Sequence, residues 1–338
     1  MRAPDFDELL KVLHRQQPSR PVLFEFFMND TVYQLLTGEK LSPDADNEEH
    51  LRLLIKAFYA AGYDYATIPS WLYDGLKFPV ADHEKKASIS LNEGFVITDR
   101  RTFESYAWPD PDKGNYDVYE KLASCLAPGM KFIACGPGGV LENVISLTGY
   151  ERLCYMLYED EALVKDIFDA VGSRLLRYYE IIMSIPSIGA AIVNDDWGFK
   201  TQPMLDPESM RRYVIPWHKK IVEVIHKEGK PAILHSCGNL SSLMDDITGF
   251  LQYDAKHSFE DSILPVEQAI DVWGSQIAIM GGIDVDFLCR HTPEEIYARA
   301  KALIKKTGCK GYALGSGNSI PEFVPPANYL AMIRAVGE

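Results

Sequence analysis

Lys230-Pro-Ala-Ile-Leu-His-Ser-Cys-Gly-Asn239 is the stretch of sequence that most constrains the fold. Its apolar centre, residues 232–234, predicts a strand buried on both faces of a parallel sheet, and Gly238 marks the loop that follows. Alternate side chains point the same way at the end of a strand, so His235 and Cys237 can face one point. Imidazole with thiolate is a ligand set that favours zinc. The alternative is a buried thiol beside a histidine that is hydrogen-bonded to a loop carbonyl.

The same pattern recurs along the chain, because short apolar runs alternate with helical patterns. Such alternation is typical of α/β proteins with a parallel sheet. Eight strands in 338 residues predict a single α/β domain, a (β/α)8 TIM barrel that spans residues 1–338. The predicted strands are residues 21–27, 63–68, 130–135, 190–194, 231–235, 253–257, 276–280 and 311–314.

The helical stretches between the strands begin at capping residues and end at glycines. The predicted helices are residues 47–61, a tract of two or three helices over residues 141–184, residues 206–229 with a kink at Pro216, and residues 292–308. One stretch departs from the simple alternation of strands and helices. Residues 94–111 alternate between apolar and polar side chains as a β-hairpin does, and we expect a hairpin insertion there.

Composition and charge exclude several classes of protein. A formal net charge of −14 argues against nucleic acid and anionic membrane surfaces as partners. No apolar run approaches the roughly 20 residues that a membrane span requires. The start of the chain has no signal-peptide pattern, so we expect a cytoplasmic protein. The six cysteines follow no disulfide spacing, and apart from Cys237 we expect them to be reduced core residues.

Polar residues gather at the carboxyl ends of the predicted strands, which share one face of a barrel where active sites lie. Each residue alone also has a structural explanation; one of Asp195 and Asp196, for example, could cap the next helix along the chain. Together they predict a polar mouth on an apolar barrel, which is typical of an active site. The candidates are Glu25 within the first strand with Asn29 and Asp30 just beyond it, Asp195, Asp196 and Trp197 after the fourth, His235 and Cys237 at the end of the fifth, His257 and Glu260 at the end of the sixth, Asp284 after the seventh, and Asn318 after the eighth.

Four motifs resemble the uroporphyrinogen decarboxylase superfamily. They are Gly229-Lys-Pro-Ala-Ile-Leu-His-Ser-Cys-Gly-Asn239, Gly281-Gly-Ile-Asp284, Gly315-Ser-Gly-Asn-Ser-Ile-Pro321 and Val193-Asn-Asp-Asp-Trp-Gly198. The resemblance covers essentially the whole chain and implies a (β/α)8 barrel. The superfamily holds two activities. One is porphyrinogen decarboxylation without a cofactor, and the other is zinc-dependent methyl transfer to or from a corrinoid protein in methylotrophic and O-demethylating systems.

The sequence is closer to the methyltransferase branch than to the decarboxylases. Decarboxylases carry an arginine-rich motif after the first strand, whereas Phe24-Glu-Phe-Phe-Met-Asn-Asp30 has no arginine and two acids. They also lack the His-x-Cys pair that binds zinc in the methyltransferases. The pair further resembles the His-x-Cys…Glu…Cys zinc site of cobalamin-independent methionine synthase, in which Glu260 matches the glutamate. The resemblance therefore implies zinc on His235, Cys237 and Glu260.

One position departs from the methyltransferase pattern. These enzymes place a second cysteine at the end of the eighth strand, where this chain has Asn318. Cys309 precedes that strand and should lie at the opposite end of the barrel. A site with a single thiolate leaves zinc more electrophilic, which suits a methyl ether donor better than a small thiol. A weakened or lost metal site is the other explanation of this change.

We therefore predict a metal-dependent methyltransferase. It would move a methyl group between a small-molecule donor or acceptor and a corrinoid protein that carries methylcobalamin or cob(I)alamin. A carboxy-lyase of the uroporphyrinogen decarboxylase type is the alternative, and a metal- or tetrapyrrole-binding protein without activity is a third interpretation. A homodimer is left open. The candidate catalytic residues are Asp195, Asp196 and His257, and the candidate substrate-binding residues are Glu25, Asn29, Trp197, Asp284 and Asn318.

Overall fold

A single parallel sheet organises the molecule, and the computed structural model describes it over residues 3–81 and 90–337. Neighbouring strands follow one another in chain order, and every neighbouring pair is parallel. A parallel neighbour can be reached only by a crossover connection, which the intervening helices supply. The fold is the predicted (β/α)8 TIM barrel. Its strands are β1 (Tyr65–Ile68), β2 (Lys131–Cys135), β3 (Ile188–Asn194), β4 (Ala232–His235), β5 (Ala255–His257), β6 (Ala278–Met280) and β7 (Tyr312–Ala313).

The first predicted strand, residues 21–27, is present as a short bridged segment that takes the eighth position. The backbone N–H of Phe24 donates to the carbonyl of Leu314 at 2.8 Å, and the N–H of Leu314 donates to the carbonyl of Val22 at 2.9 Å. On the other side the hydroxyl of Tyr65, in β1, accepts from the N–H of Glu25 at 2.6 Å and donates to its carbonyl at 2.7 Å. A side-chain hydroxyl thus replaces a backbone ladder between this segment and β1, and the segment is therefore bridged rather than a full strand.

The helical tract predicted over residues 141–184 consists of three consecutive helices, α6 to α8. The helices of the described chain are α1 (Phe6–Leu13), α2 (Asp30–Thr37), α3 (Asn47–Ala61), α4 (Arg100–Ser105), α5 (Val118–Ala123), α6 (Val140–Thr148), α7 (Tyr150–Glu159), α8 (Glu161–Met183), α9 (Pro207–Ser209), α10 (Ile215–Lys227), α11 (Val266–Trp273), α12 (Val285–Arg290), α13 (Pro293–Thr307) and α14 (Pro326–Arg334). Short 3₁₀ turns occur at Ser70–Leu72, Pro111–Lys113 and Ser241–Leu243.

The predicted helix ends are confirmed where the sequence has strong capping signals. Helix α13 begins with a capping box between Thr292 and Glu295 and ends at Gly308, which adopts a left-handed conformation with φ 56°. Between α9 and α10 lies a π-helical turn, Met210–Val214. This irregularity directly precedes Pro216, which lacks an N–H and crowds the preceding turn. The predicted kink is therefore a local change of hydrogen bonding within one long helical stretch.

The predicted β-hairpin over residues 94–111 is wrong, because its second arm is the helix α4. Asp99 caps this helix: its carboxylate accepts from the N–H of Thr102 at 2.8 Å, and the Thr102 hydroxyl accepts from the N–H of Asp99 at 3.0 Å. Phe103 and Tyr106, three residues apart, both pack against Trp108, with ring centroids 5.5 and 4.7 Å away. Tyr106 is the extended residue that ends the helix. The local cap at Asp99 outweighs the alternation that favoured a strand.

Strands β4, β5 and β6 are buried along their whole length. Their titratable side chains are His235, Lys256 and His257, all at the carboxyl ends of β4 and β5. Buried polar groups are costly unless they find partners, so their position at one end of the barrel is informative. Among the described helices, none is at once long enough and apolar enough to span a membrane.

Candidate metal centre at the carboxyl ends of the strands

Three neighbouring strands end at the same level on one face of the barrel. Asn194 at the end of β3 pairs with His235 at the end of β4, and His235 pairs with His257 at the end of β5. The residues that follow these three therefore enter the loops side by side. This register brings together side chains that are distant in sequence, as the predicted barrel requires.

Three side chains at this end could hold a metal ion. One ligand atom each from Asp196, His235 and Cys237 lies within 4.8 Å of the other two, and we call these residues the ligand group. The Nε2 atom of His235 lies 3.9 Å from the Sγ atom of Cys237. Tetrahedral zinc with ordinary bond lengths places such atoms about 3.5 Å apart. The ligand group therefore fits a zinc ion with a small adjustment of the side chains.

Glycine after Cys237 allows the loops behind the ligand group to pack closely. Gly238 has φ 87°, and a Cβ atom there would overlap the backbone of Gly198 in the loop after β3. The N–H of Asn239 donates to the carbonyl of Phe199 at 2.8 Å. The backbone N–H of Cys237 itself donates to the carboxylate of Asp196 at 2.8 Å. The two loops are thus fixed to each other, which holds two of the three ligands in place.

The thiol of Cys237 receives two hydrogen bonds from side chains outside the ligand group. The amide of Asn318 donates to its Sγ atom at 3.3 Å, and the hydroxyl of Ser258 donates at 3.5 Å. Burial raises the pKa of the thiol to about 12, and the negative charge of Asp196 acts in the same direction. Without a cation the sulfur therefore keeps its proton at neutral pH. A bound metal ion has to displace that proton, so metal affinity depends on pH.

His235 and His257 form a directly hydrogen-bonded pair of imidazoles. Their Nδ1 atoms are 2.8 Å apart, and the Nε2 atom of His257 lies 3.1 Å from the carbonyl oxygen of Ser316. The ring of Phe26 lies 4.2 Å from that of His235, and the ring of Phe24 lies 5.1 Å from that of His257. Burial lowers the pKa of His257 to about 3 and that of His235 well below its ordinary value. Both rings are therefore neutral at physiological pH.

Asp195, predicted as catalytic, is buried inside the protein and does not face the mouth. Its carboxylate accepts from the N–H groups of Leu141 and Glu142 at 3.0 and 2.9 Å, at the first turn of α6. It also lies 2.8 Å from the Nε2 atom of His218, whose Nδ1 atom is 2.7 Å from the hydroxyl of Tyr253. The structural explanation for one of the two aspartates was a cap of the next helix along the chain, but that helix, α9, is capped by Asp206. Asp195 instead accepts from N–H groups of α6, which precedes β3. These contacts do not favour a direct part in catalysis.

Glu25, predicted to bind substrate, is fully buried beneath the site. The hydroxyl of Ser316 donates to its carboxyl group at 2.6 Å, and the N–H of Ser316 lies 3.3 Å from the same group. Burial raises the pKa of Glu25 to about 8, and the hydrogen bonds from Ser316 offset part of that rise. Glu25 therefore holds the segment after β7 in place and makes no contact with the open mouth.

Three more predicted substrate-binding residues serve the framework of the barrel. Asn29 caps α2 by accepting from the N–H of Val32 at 2.9 Å, and its amide donates to two carbonyls after β7 at 3.2 and 2.9 Å. Asp284 caps α12 by accepting from the N–H of Asp286 at 2.6 Å. Trp197 is fully buried. Asp284 also lines a cavity of about 750 Å³ at this end of the barrel. Contact of all three residues with a substrate stays a prediction, and the positions of Asn29 and Trp197 do not favour it.

Asn318 is the predicted substrate-binding residue that does lie at the site, through its contact with Cys237. Glu260, the predicted third ligand, is not in the ligand group, and Asp196 is the acid that the structure places there. Glu260 and Asn318 both line a cavity of about 750 Å³ beside the site, together with Lys200 and Arg290. Ligation by Glu260 stays a prediction.

The family of the chain follows from a comparison with known proteins. A family model described as uroporphyrinogen decarboxylase (URO-D) matches residues 99–338, which is more than half of the chain. The chain belongs to the uroporphyrinogen decarboxylase family. The matched region contains β2 to β7 and the whole ligand group, so the predicted superfamily is confirmed.

Relatives with each of the two activities of the family resemble this chain. Methylcobamide:CoM methyltransferase MtbA of Methanosarcina mazei is 25% identical over 347 aligned residues, which cover 97% of this chain and 96% of that protein. Uroporphyrinogen decarboxylase of Myxococcus xanthus is 26% identical over 183 residues, and the match spans 51% of this chain and about half, 46%, of that protein. A solved structure of a methyltransferase from Methanosarcina mazei covers 99% of both chains with a TM-score of 0.74 at 15% identity, which shows a shared fold.

Sequence reasoning missed several residues that shape this family member's site. Ser316 and Ser258 have no sequence signal, because their contacts depend on loops that meet only in the fold. Glu142 was detectable as an acid in the first turn of a predicted helix; its pKa is raised to about 8 by burial and by the charges of Asp195 and Asp196. Lys256 was detectable as a lysine within a buried strand. Burial lowers its pKa to about 8, and its Nζ atom donates to the carbonyl of Ser258 at 2.7 Å.

Proposed function

We propose that this chain is the methyltransferase component of a corrinoid-dependent system. The observation that carries the proposal is the ligand group, in which an imidazole, a thiol and a carboxyl group meet at the carboxyl ends of β3 and β4. Decarboxylation of porphyrinogens needs no such set. The similarity to a methylcobamide:CoM methyltransferase over nearly the whole chain points to the same branch of the family.

His235, Cys237 and Asp196 would hold the metal, with Glu260 as an alternative acid in its first shell. Zinc supplies a Lewis acid and lowers the pKa of groups that bind to it. The protein supplies the rest. The packed loops after β3 and β4 keep the ligands close together. Phe26 and Phe24 cover the rings of His235 and His257 and exclude water from them. The amide of Asn318 donates a hydrogen bond to the sulfur of Cys237. A preorganised ligand set of this kind costs little reorganisation when a substrate binds.

The methyl donor that we propose is a small molecule with an oxygen-linked methyl group. Asn318 stands where the methyltransferases have a second cysteine, so the ligand group offers one thiolate at most. Fewer thiolate ligands leave a zinc ion more electrophilic and better suited to oxygen donors. The cavity of about 750 Å³ that Asn318 lines is large enough for a small aromatic ether. The acceptor would be a cob(I)alamin carried by a partner protein.

Two features of residues 24–30 bear on uroporphyrinogen as a substrate. One is the pair of acids, but Glu25 is fully buried and cannot face a polycarboxylate at the mouth, and the partly exposed carboxyl group of Asp30 lies 2.8 Å from His50. The other, which argues against this substrate, is the lack of arginine between residues 24 and 30. The nearest arginine in sequence, Arg20, pairs with Asp64 at 2.6 Å at the other end of the first strand segment.

Two parallel assays test the proposed function. Purified protein loaded with zinc is incubated with 2-methoxyphenol and cob(I)alamin, and methylcobalamin is followed by its absorbance. The reverse arm supplies methylcobalamin and 2-mercaptoethanol. We expect methyl transfer from the ether, less transfer to the thiol, and loss of both in Cys237→Ser. Turnover of uroporphyrinogen III by metal-free protein, with no methyl transfer in either arm, would establish the decarboxylase alternative.

A further inference from the structure

The histidine pair sets which nitrogen of His235 is free to bind an ion. Each neutral imidazole carries one N–H and one lone pair, and the hydrogen bond of one nitrogen decides the role of the other. The two Nδ1 atoms are 2.8 Å apart, so one of them must donate and the other must accept. The geometry around His257 decides which of the two alternatives holds.

The acceptor that faces His257 on its far side is a backbone carbonyl. The carbonyl oxygen of Ser316 lies 3.1 Å from the Nε2 atom of His257 and also accepts the N–H of Gly282 at 2.8 Å. A Cβ atom at Gly281 would overlap this oxygen, so the glycine allows the close approach. A carbonyl oxygen can only accept. The Nε2 atom of His257 must therefore carry the proton, because a lone pair there would face the oxygen without a hydrogen bond.

We propose that His257 is a positioning residue, which accepts the Nδ1 proton of His235 and so directs the Nε2 lone pair of His235 toward Cys237. The Nε2 atom of His235 already lies 3.9 Å from the sulfur. Phe26 and Phe24 cover the two rings, so little water competes for the bond between them. Ser316 is fixed in turn by its two hydrogen bonds to Glu25. The role rests on the proposed metal site, since the tautomer matters for function only when Nε2 binds an ion.

The partner of His235 differs from the usual one in a way that affects the metal. Histidine ligands commonly donate their second N–H to a carboxylate, a carbonyl or water, and a carboxylate makes the ligand more basic. Here the acceptor is a neutral imidazole. A neutral acceptor fixes the tautomer without adding negative charge, so the ion stays more electrophilic. This fits a site that activates an oxygen-linked methyl group.

The tautomers are measurable in the metal-free protein by long-range ¹H–¹⁵N correlation spectra with ¹⁵N-labelled histidine. We expect His235 protonated at Nδ1 and His257 protonated at Nε2, assigned with the His257→Asn and His257→Gln variants. The opposite assignment overturns the proposal whether or not the protein binds zinc. If the spectra give the expected tautomers but the protein binds no zinc, the proposed function is wrong, whereas the hydrogen bond from His235 to His257 is confirmed.

The same two variants separate positioning from mere structural support. In His257→Asn an amide oxygen can take the place of the Nδ1 acceptor, whereas His257→Gln extends to the Nε2 position and leaves Nδ1 of His235 without an acceptor. We expect zinc affinity, measured by competition with a chromophoric chelator, to fall about 10- to 100-fold in His257→Gln. His257→Asn should retain most of the wild-type affinity. Equal losses in both folded variants, or no loss in either, would contradict the role of His257.

Discussion

Asp195 and Asp196 are consecutive residues at the end of β3, yet their carboxylates belong to two different regions of the molecule. Asp195 is part of an inner network in which it contacts the first turn of α6 and the buried His218. Asp196 belongs to the ligand group, and its carboxyl group accepts a hydrogen bond from the N–H of Cys237. The inner network has all its partners within the protein. The ligand group has ligand atoms that converge without an ion pair between them, which is an arrangement that suits a cation.

This difference shows that the polar residues at the strand ends fall into two groups. One group stabilises the fold, and the other could bind an ion. Glu25, Asn29, Asp195 and Asp284 are polar residues after strands, but each is used to cap a helix or to fix a segment. Asp196, His235 and Cys237 are the residues whose ligand atoms converge on one point and could share an ion. Substitutions in the inner network should therefore lower stability and leave metal affinity nearly unchanged. Substitutions in the ligand group should lower metal affinity and leave stability nearly unchanged.

The largest effect is expected for the pair of matched variants Asp195→Asn and Asp196→Asn. The Asp195 carboxyl group accepts from two buried backbone N–H groups and contacts the ring of His218. A buried donor left without its acceptor costs about 1–3 kcal/mol, so Asp195→Asn should lower the free energy of unfolding by about 2 kcal/mol or more. Asp196→Asn keeps an oxygen that can accept from Cys237, so its change should stay within about 1 kcal/mol. Urea denaturation of both variants measures this. Similar losses in the two would remove the distinction between the regions.

Metal affinity should respond in the reverse order. Asp196→Asn removes an anionic ligand, and we expect zinc to bind more than about 100-fold more weakly, since loss of an outer-shell partner alone costs 10- to 100-fold. Asp195→Asn, measured below its unfolding midpoint, should change zinc affinity by less than about tenfold. Chelator competition at pH 7.5 gives both values. Wild-type affinity in Asp196→Asn would exclude this residue as a ligand and favour Glu260.

The pH dependence of stability tests the inner region through Glu25. Burial raises its pKa to about 8 in the folded protein against an ordinary value of 4.5, so the folded state holds a proton that the unfolded state has lost between these values. The stabilising contribution is full below about pH 4.5 and is lost as the pH rises through 8. The slope is about 1.4 kcal/mol per pH unit for one proton.

Glu25→Gln should remove that part of the slope, because glutamine does not titrate. Unfolding measured from pH 5.5 to 7.5 in the wild type and the variant gives the comparison. Glu142, whose pKa is also raised to about 8, and His235 and His257, whose pKa values are lowered, titrate in both proteins and should give the same residual slope in each. Identical slopes in the two proteins would show that Glu25 is ionised in the folded state.

The smallest effect is expected at Asn318, on the border of the ligand group. Asn318→Cys replaces an amide that now lies 3.3 Å from the Sγ atom of Cys237 with a thiol. We expect zinc to bind about tenfold more tightly, because a second thiolate is a stronger ligand. Transfer from a methyl ether should fall at the same time. Asn318→Ala is the control without a ligand. Faster ether demethylation in Asn318→Cys would show that asparagine merely weakens the site.

The barrel and the core of the site were predictable from the sequence, for a physical reason. A buried parallel strand reads as an apolar run, and the polar residue after it must lie on the functional face, so His235 and Cys237 could be placed together. The same rule does not tell which polar side chains turn inward. Asp195 and Asp196 have the same chemistry and differ in direction, which depends on the approach of α6.

The site residues that the sequence did not indicate depend on contacts between parts of the chain that are distant in sequence. Asp196 lies beside His235 and Cys237 because the loops after β3 and β4 pack against each other through Gly198 and Gly238. Ser316 acts through its carbonyl, which every residue has. In residues 94–111 a capping box was present at Asp99, and weighing it above the alternation would have predicted the helix α4.

The central claim is that the ligand group binds a metal ion through Cys237. The most direct test is the zinc content of protein purified without chelator, measured by inductively coupled plasma mass spectrometry for the wild type, Cys237→Ser and Cys309→Ser. Cys309 is a matched control, because it is buried before β7, at the opposite end of that strand from the site. We predict close to one zinc per chain in the wild type and in Cys309→Ser, and little in Cys237→Ser. Zinc retained at the wild-type level in Cys237→Ser would contradict the claim.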